Sequence, residues 1–533
     1  MKTRPSVEEH YKLPNPGLRA YFRRTVDGNL DDYRPPFWKG KSRETVLAMW
    51  QAELERSDVQ SKYPSLYEYE MEMKAKVGPM SIQKPLADRI SDIEAYYEDV
   101  KSKSVPIPGR ALLATIQWAK AIKGIRLRSI PRTIENMRLN TNSGSPFFTK
   151  RKREAKWTME GRMDFYTIGD KAYIRIPLLT YTLTATLGWR GQEGGPNPAD
   201  VKQRVIWMMP FSVNVRELQL YQPAIEAVQK QKLIPAYVSM DYVDQEVTAL
   251  FDSKGVDDFV ICTDFSRFDQ HFNDHMQEAA RVVLESVVTP SREMDDWMGS
   301  IFPIKYNIPL VCSEELMFTG KHGMGSGSGG TNFDECLAHK ALQFEAALSK
   351  NQTLNPHSMA YGDDGILTYP GIAVEDVIRT YESHGQVMNP EKQYVSKHDC
   401  VVLRRWHSTQ YRVNGTMVGV YSTFRALGRL LAQERFYDPE EWGPEQVTLR
   451  AWSILENCNN SPYFEEFVQF CMKGDKYRLG LDLPGFMDRA ETIAKRSIDQ
   501  LPDFLGYTKT IQDKDPSKGI TNWKVYKYLK TLK

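Results

Sequence analysis

Residues Ala360–Tyr369, AYGDDGILTY, set two acids, Asp363 and Asp364, side by side between short apolar or aromatic segments. Gly362 and Asp363 suit a two-residue hairpin turn, so the local expectation is strand, turn, strand with the carboxylates at the tip. Adjacent carboxylates repel one another, and a hard divalent cation such as Mg2+ relieves that repulsion through oxygen ligation. Asp and Gly are also ordinary turn formers, so this stretch alone equally describes a solvated turn. A second stretch shifts the balance. Residues Asp258–Asn273, DFVICTDFSRFDQHFN, carry an apolar run through Phe259, Val260, Ile261 and Cys262 that ends on Asp264, with Asp269 five residues further on. A buried strand ending in a carboxylate can bring it to the same sheet edge as the hairpin tip, giving one metal site from two separated segments. Two Mg2+ ions about 4 Å apart repel by roughly 4 kcal/mol even in the dielectric of water, so a two-metal site needs several carboxylates and substrate phosphates around it. Asp264, Asp363 and Asp364 are the minimum set.

The matching cations are scattered. In Val201–Pro210, VKQRVIWMMP, Lys202 and Arg204 alternate along an extended segment and point to one face. Arg binds phosphate oxygens in pairs and Lys supplies a compact charge, a combination that suits a triphosphate. Lys150, Arg151, Lys152, Arg153 and Lys156 form a second basic cluster, and Arg404 with Arg405 a third. Each alone also fits a solvated surface; the net charge of +2 says little, and distribution is what bears on a nucleic-acid partner. Two loops of small residues accompany them. Asn140–Phe148, NTNSGSPFF, has the Gly and Pro that let a backbone pass close to a nucleic acid strand, or simply make a loop. Gly323–Glu335, GMGSGSGGTNFDE, runs into a helix whose first N–H groups are free for a sugar or phosphate. It lacks the Lys-Ser/Thr ending of a P-loop and a GxGxxG in dinucleotide-binding context, which argues against a mononucleotide fold of that kind.

The elements that must hold these residues follow from periodicity. Helices are expected at Arg43–Glu55, across Ala111–Arg128, after Asp269 on Met276, Ala279, Ala280, Val283, Leu284 and Val287, and after the Gly-rich loop on Phe333, Cys336, Leu337, Phe344 and Leu348. Tyr173–Thr186 reads as long strand or hairpin, and Gly191–Asp200 as a flexible tip. Gln446–Glu456 and Tyr463–Met472 read as helices separated by Gly, Asn and Pro breaks. With 533 residues, 41% hydrophobic and 26% charged, the chain has material for a large core divided into several subdomains. No apolar run reaches the ~20 residues of a bilayer span, and MKTRPSVEEHYK has no signal-peptide core, so a soluble protein of a cytosol-like compartment is expected. Six scattered cysteines fit free thiols better than disulfides or a zinc site. His271 and His275 lack an HExxH context and read as an ordinary helix start. The first 105 residues show no chemistry and are expected to pack across other domains.

Taken in order, these motifs resemble the RNA-dependent RNA polymerases of RNA viruses over about Ser143–Trp406, and the wording DFSRFDQHFN with SGSGGTNFDE is most similar to picobirnaviruses, small segmented double-stranded RNA viruses. Asp264 and Asp269 resemble the first palm motif, with Asp264 as metal ligand and Asp269 sensing the ribose 2′-hydroxyl. Ser326, Gly327 and Thr331 fit SGxxxT beside template and incoming nucleotide; Tyr361–Asp364 resembles the GDD motif. Lys392 stands where the family places a lysine thought to protonate pyrophosphate. Leu403–Trp406, LRRW, resembles the primer-grip turn, placing Arg404 and Arg405 near RNA. Lys202 and Arg204 match the basic motif over the triphosphate, and Ser143–Pro146, with Ser143 and Gly144, the loop that guides template entry. One position departs: where many members carry an Asn partner for the ribose-sensing Asp, this chain has Glu335, with Asn332 and Asp334 as nearby substitutes.

The resemblance implies an α+β right-hand fold: N-terminal extension 1–105 bridging fingers and thumb, fingers 106–234, palm 235–300, a fingers/palm insertion 301–330, palm 331–421 with an antiparallel sheet, and a helical thumb 422–533. It implies RNA synthesis from ribonucleoside triphosphates on an RNA template with two Mg2+ ions, Mn2+ being acceptable to the same ligands. Lys392 would act as general acid. It also implies work in the virion interior and host cytoplasm, with a capsid protein as partner and no membrane. Two rivals stay open at this stage. A reverse transcriptase would carry a bulky aromatic where Asp269 stands, and a non-catalytic RNA-binding capsid or scaffold protein would have no need for three crowded carboxylates.

Overall fold

The computed structural model describes residues 2–3, 16–159, 164–176, 179–497 and 519–533; parts of the expected N-terminal extension, fingers and thumb tracts, including the start of the chain and 177–178 of the expected strand run, lie outside the described residues. Its centre is a four-stranded antiparallel sheet in the order Met359–Tyr361, Asp364–Leu367, Val260–Thr263, Tyr394–Ser396. All four residues of Val260–Thr263 are buried, as expected for a β-branched-rich strand enclosed on both faces. Helices Gly109–Ala119, Asp274–Val287 and Thr331–Leu348 contribute to the same large apolar core as Ile261 and Leu367 of this sheet. Asn273 starts the second of these helices by accepting from His275 N and Met276 N, so His275 lies in a helix start as expected.

A five-stranded sheet carries the basic strand Lys202–Met208 at one edge, paired antiparallel with Ala185–Gln192. The expected long strand or hairpin Tyr173–Thr186 is a hairpin as far as Thr182, and its last residues pass to another sheet. Lys171–Ile176 and Leu179–Thr182 belong to a separate three-stranded sheet, and the chain changes sheets at Leu183–Thr184, where Ala185 N donates to Pro309 O at 2.8 Å. The helix expected across Ala111–Arg128 stops at Ala119 and tightens to a 3-10 turn at Lys120–Ile122, ahead of Gly124, whose φ of +101° a helix cannot hold. The helix at Arg43–Glu55 falls where the periodicity puts it, and Pro444–Glu456 and Phe464–Gly474 lie within two residues of their expected bounds.

A second apolar core joins the two ends of the chain. Val46, Trp50, Leu54, Leu66 and Met73 pack in one cluster with Trp406, Phe424, Leu427, Trp452 and Phe467. Trp50 lies against the rings of Phe467 and Phe470 and its indole N–H donates to Thr423 Oγ1 at 2.8 Å. Glu70, buried, accepts from Thr423 N at 2.8 Å and Phe424 N at 3.2 Å and so caps the helix Thr423–Leu431 from a distant segment. The next part of the N-terminal tract, with Ile93, Tyr96 and Tyr97, belongs instead to the first core. All six cysteines are free and buried. Among the described residues no helix is long and apolar enough to cross a membrane.

Candidate active site

The sheet register assembles the acids. Tyr361 pairs with Asp364, leaving Gly362 and Asp363 as a two-residue turn in which Gly362 takes φ +61°. Gly365 pairs with Thr263, so one step further along the same ladder Asp364 lies opposite Asp264. The residue just before the strand Tyr394–Ser396 adds a clamp: Gln393 Oε1 accepts from Asp264 N at 2.8 Å while its Nε2 donates to Asp264 O at 2.8 Å. Both main-chain groups of Asp264 are thereby fixed, which aims its carboxylate beyond the strand end. Helix Thr331–Leu348 supports the turn from below. His339 Nδ1 donates to Gly362 O at 2.8 Å, and Gly362 N donates to Cys336 Sγ at 3.3 Å. Burial holds the His339 pKa down at about 4, so the ring is neutral.

The turn faces a cavity of about 1320 Å3. Asp363 and Asp364 line it together with Lys202, Arg204, Asp269, Ser326, Thr331, Asn332, Arg404 and Arg405. Asp264, exposed at the end of its strand, is not among the residues that line the cavity, but its charge raises the Asp364 pKa. Asp363 is open to the cavity yet surrounded by protein, and burial followed by the Asp269 charge raises its pKa, against the pull of Arg204 and Arg404. Burial, then Asp363, pushes Asp364 up to about 7. Asp264 is also raised by burial, with Lys392, Lys76 and Lys202 acting the other way. Carboxyls that hold their protons this tightly are short of positive charge, and a divalent cation is the group that would supply it. Among the described residues no three His, Cys, Asp or Glu side chains form a preformed cage.

The Gly-rich loop is held by close backbone contact. Trp207 N donates to Ser326 O at 2.7 Å, and a Cβ on Gly327, whose φ is +117°, would sit 2.2 Å from Trp207 O. Ser326 Oγ donates to Asp269 Oδ2. Thr331 Oγ1 donates to Gly325 O at 3.3 Å, and Asn332 Oδ1 accepts from Tyr237 OH at 2.7 Å. Neither substitute expected near Asp269 serves that role. Asn332 is taken by Tyr237, and Asp334 is turned into a wholly buried network in which Lys305 Nζ approaches at 2.9 Å and the hydroxyls of Tyr221 and Tyr306 donate at 2.7 Å. Glu335 itself meets Asp269. Burial, then the charge of Asp269 and a hydrogen bond with it, raise the Glu335 pKa well above its ordinary value, so Glu335 holds its proton more tightly than a free carboxyl does.

The remaining expected residues divide. Arg404 and Leu403 form the tip of a tight hairpin with φ of +60° and +51°, and Arg404 faces the cavity. Arg405 also borders it but is buried, its Nη1 donating to Asn457 O at 3.0 Å. Lys392 is exposed on a 3-10 turn and does not line the cavity, although its charge reaches Asp264. Ser143 is wholly buried, its carbonyl accepting from Phe211 N at 2.7 Å, and Gly144 packs against Met209 O and Pro210; neither lines the cavity. They shape the loop from within.

A family model of viral RNA-dependent RNA polymerases matches residues 109–456. The chain belongs to that family. It is 51% identical over 537 residues, covering 100% of both chains, to a potential RNA-dependent RNA polymerase of human picobirnavirus (strain Human/Thailand/Hy005102/-). The crystal structure of the RNA-dependent RNA polymerase of a human picobirnavirus matches with a TM-score of 0.94 and 50% identity, covering 99% of this chain and 100% of that one. An insertion-loop deletion mutant of a human picobirnavirus RNA-dependent RNA polymerase matches at 0.92 and 48%, with the same coverage. The chain is therefore an RNA-directed RNA polymerase of α+β fold from a double-stranded RNA virus family, and the reverse-transcriptase and scaffold readings fall away.

Several residues of this polymerase site escaped the sequence. Lys84, Arg89, Asp92 and Tyr96 line the cavity, correcting the expectation that the first 105 residues hold nothing of the site. Arg89, 2% exposed, donates from Nη2 to Gly188 O at 3.2 Å and Arg204 O at 3.3 Å, tying together the strand pair that carries the basic residues. Gln393 and Glu335 were visible only as neighbours of motif residues. Their contacts depend on strand register and helix rotation, which no local pattern carries.

Proposed function

We propose that Asp264, Asp363 and Asp364 hold two divalent ions, Mg2+ or Mn2+, for template-directed nucleotidyl transfer from ribonucleoside triphosphates. The carrying observation is the register that sets Asp264 opposite Asp364 with Asp363 at the adjoining turn. Such ions, when bound, lower the pKa of the nascent strand's 3′-hydroxyl and neutralise the leaving group. The chain's own residues do the rest. Lys202 and Arg204 bind the triphosphate along one face of their strand, and Arg204 is kept in place by Arg89 through its carbonyl. Lys392 delivers a proton to departing pyrophosphate. Asp269, oriented by Ser326 and Glu335, accepts from the ribose 2′-hydroxyl. Ser326, Gly327, Thr331 and Asn332 border the nucleotide, and the Ser143–Gly144 loop and the Arg404–Arg405 hairpin guide RNA. Around them we place an N-terminal extension (1–105) closing fingers (106–234) on thumb (422–533) over palm segments 235–300 and 331–421, with 301–330 inserted. The enzyme works inside a capsid and in the host cytoplasm.

Metal dependence tests the site. RNA synthesis stops when a chelator removes divalent ions and returns on Mg2+ addition. Because Asp364 in the free enzyme holds its proton up to about pH 7, an incoming ion must displace it below that pH. Apparent Mg2+ affinity, measured by titration calorimetry, therefore rises with pH from about 5 to about 7, by up to about tenfold per unit, and levels off above. A flat profile across that range would remove the acids from the metal site.

The Glu335–Asp269 contact makes a second prediction. Glu335→Gln keeps a neutral donor and should leave the preference for ribonucleotides over deoxyribonucleotides within about threefold of wild type, whereas Glu335→Leu, which strips Asp269 of that partner, should lower it by about tenfold, the equivalent of ~1.4 kcal/mol. Competition between ribo- and deoxyribonucleoside triphosphates measures the ratio. Equal behaviour of the two variants would separate Glu335 from sugar selection.

A further inference from the structure

One face of helix Leu86–Glu98 reaches the cavity, and its last member has no role in the steps above. Arg89, Asp92 and Tyr96 follow one another at three and four residues, the spacing of a single helix face, and all three line the cavity. The neighbouring Tyr97 is given over to packing, stacked on Phe318 with ring centroids 5.6 Å apart. Tyr96 is 3% exposed, and its ring meets Trp207 edge-on with centroids 5.8 Å apart. Its carbonyl accepts from Gly323 N at 2.9 Å, at the start of the Gly-rich loop. There Met324 N donates to Asp269 O at 2.8 Å, and a Cβ on Gly323 would sit 2.2 Å from the same oxygen. Helix, loop and Asp269 are thus joined through main chain. Packing alone would be served by a phenylalanine, so the hydroxyl of Tyr96 calls for a reason of its own. It comes within hydrogen-bonding reach of the Ser326 hydroxyl, and the charges around it are those of Asp269, Glu335 and Arg204. Burial, then the Asp269 charge, raise its pKa well above the ordinary value, so it keeps its proton. Ser326 has a single proton, and it goes to Asp269 Oδ2. A carboxylate has none to return, so the Ser326 oxygen is left with acceptor capacity that Tyr96 is placed to fill.

We propose that Tyr96 is a positioning residue for sugar selection: its hydroxyl donates to Ser326, keeps the Ser326 proton on Asp269, and so holds Asp269 ready for the ribose 2′-hydroxyl. The inference rests on the reading of Asp269 as the sugar-sensing acid and deepens it. A serine hydroxyl rotates about its Cβ–Oγ bond and can donate in several directions. A donor behind it leaves one useful orientation, in which one carboxylate oxygen of Asp269 is committed and the other is free for substrate. Selection of ribonucleotides is then completed by a helix of the N-terminal tract, far in sequence from both motifs it serves.

The test uses the full chain with Tyr96→Phe, which keeps the ring and loses the hydroxyl, beside wild type. Single-nucleotide incorporation on a primed RNA template gives kcat/KM for a ribonucleoside triphosphate and for its 2′-deoxy counterpart. With the ribonucleotide the variant loses about fivefold, of the order of one neutral hydrogen bond, and with the deoxyribonucleotide less than about twofold, because Asp269 has no 2′-hydroxyl to meet. The same change on a Ser326→Ala background alters the ratio by less than about twofold, since the intermediary is gone. Equal losses on both sugars, the mark of a residue that only packs, overturn the proposal, as does no loss on either. An undiminished effect on the Ser326→Ala background overturns the route through Ser326. Asp269→Ala is run alongside. If it selects sugars as wild type does, the reading of Asp269 fails; if it loses selection while Tyr96→Phe keeps it, the role of Tyr96 alone fails.

Discussion

Asp363→Asn will abolish template-directed RNA synthesis, lowering turnover by about 10³-fold or more while leaving the fold and RNA affinity intact. The substitution keeps the size and the turn. Gly362 supplies the positive φ of the hairpin, and its main-chain bonds to His339 and Cys336 do not involve the 363 side chain. What disappears is one negative charge at the point where Asp264 and Asp364 converge. The free protein is relieved by that loss, because Asp363 raises the pKa of Asp364, so thermal stability without metal should hold or rise slightly. Single-turnover incorporation of one ribonucleotide on a primed template, run with a denaturation curve, measures both. Substantial activity at saturating Mg2+ would mean that Asp264 and Asp364 suffice and that Asp363 is only a turn residue.

Lys305→Met should be the most destabilising single change in the buried polar network, costing about 3–5 kcal/mol and showing as a lower unfolding midpoint in urea. Lys305 and Asp334 are both 0% exposed, 2.9 Å apart, and the Tyr221 and Tyr306 hydroxyls complete the shell of Asp334. Removing the ammonium leaves a carboxylate in the core with only neutral donors. The double variant Lys305→Met, Asp334→Leu removes both charges and should recover much of the loss, since burying a pair is itself expensive in desolvation. The effect should reach function as well. Lys305 O accepts from Gly325 N at 3.0 Å, and Glu217, bound to Ser328 and Gly329, feels the Lys305 charge, so the network seats the Gly-rich loop from behind. If single and double variants unfold at the same midpoint, the pair contributes no coupling.

The legibility of this chain in its sequence follows the range of the forces involved. The hairpin of the candidate site is local: two apolar runs and a Gly-Asp turn fix Asp363 and Asp364 within ten residues. The central strand is largely local too: the apolar run Phe259–Cys262 ahead of Asp264 marks it, although the strand proper is Val260–Thr263 and Phe259 lies exposed outside it. Glu335 was counted correctly but read as a gap, because a carboxyl against Asp269 looks like repulsion until its burial, which makes it hold its proton more tightly, is seen. Asn332 and Asp334 looked equivalent to it on a helix start, and only rotation about the helix axis sends one to Tyr237 and the other to Lys305. Arg89 and Gln393 act on main-chain carbonyls and amides, and no sequence pattern records which distant backbone a side chain will meet. The division of Tyr173–Thr186 between two sheets was hidden for the same reason: alternation identifies a strand and says nothing of its neighbour.

The core shared by the two ends of the chain bears on how the molecule is made. Val46, Trp50 and Leu54 leave the ribosome early, yet Phe424, Trp452 and Phe467, against which they pack, come last. At roughly 5–20 residues per second this interval is some tens of seconds, during which those apolar side chains have no final partner. Tyr421, which lines the cavity, belongs to this same late core. A nascent chain can therefore hold its central sheet and its acids in place well before it holds a finished nucleotide pocket, and completion of translation becomes the step that makes the enzyme competent.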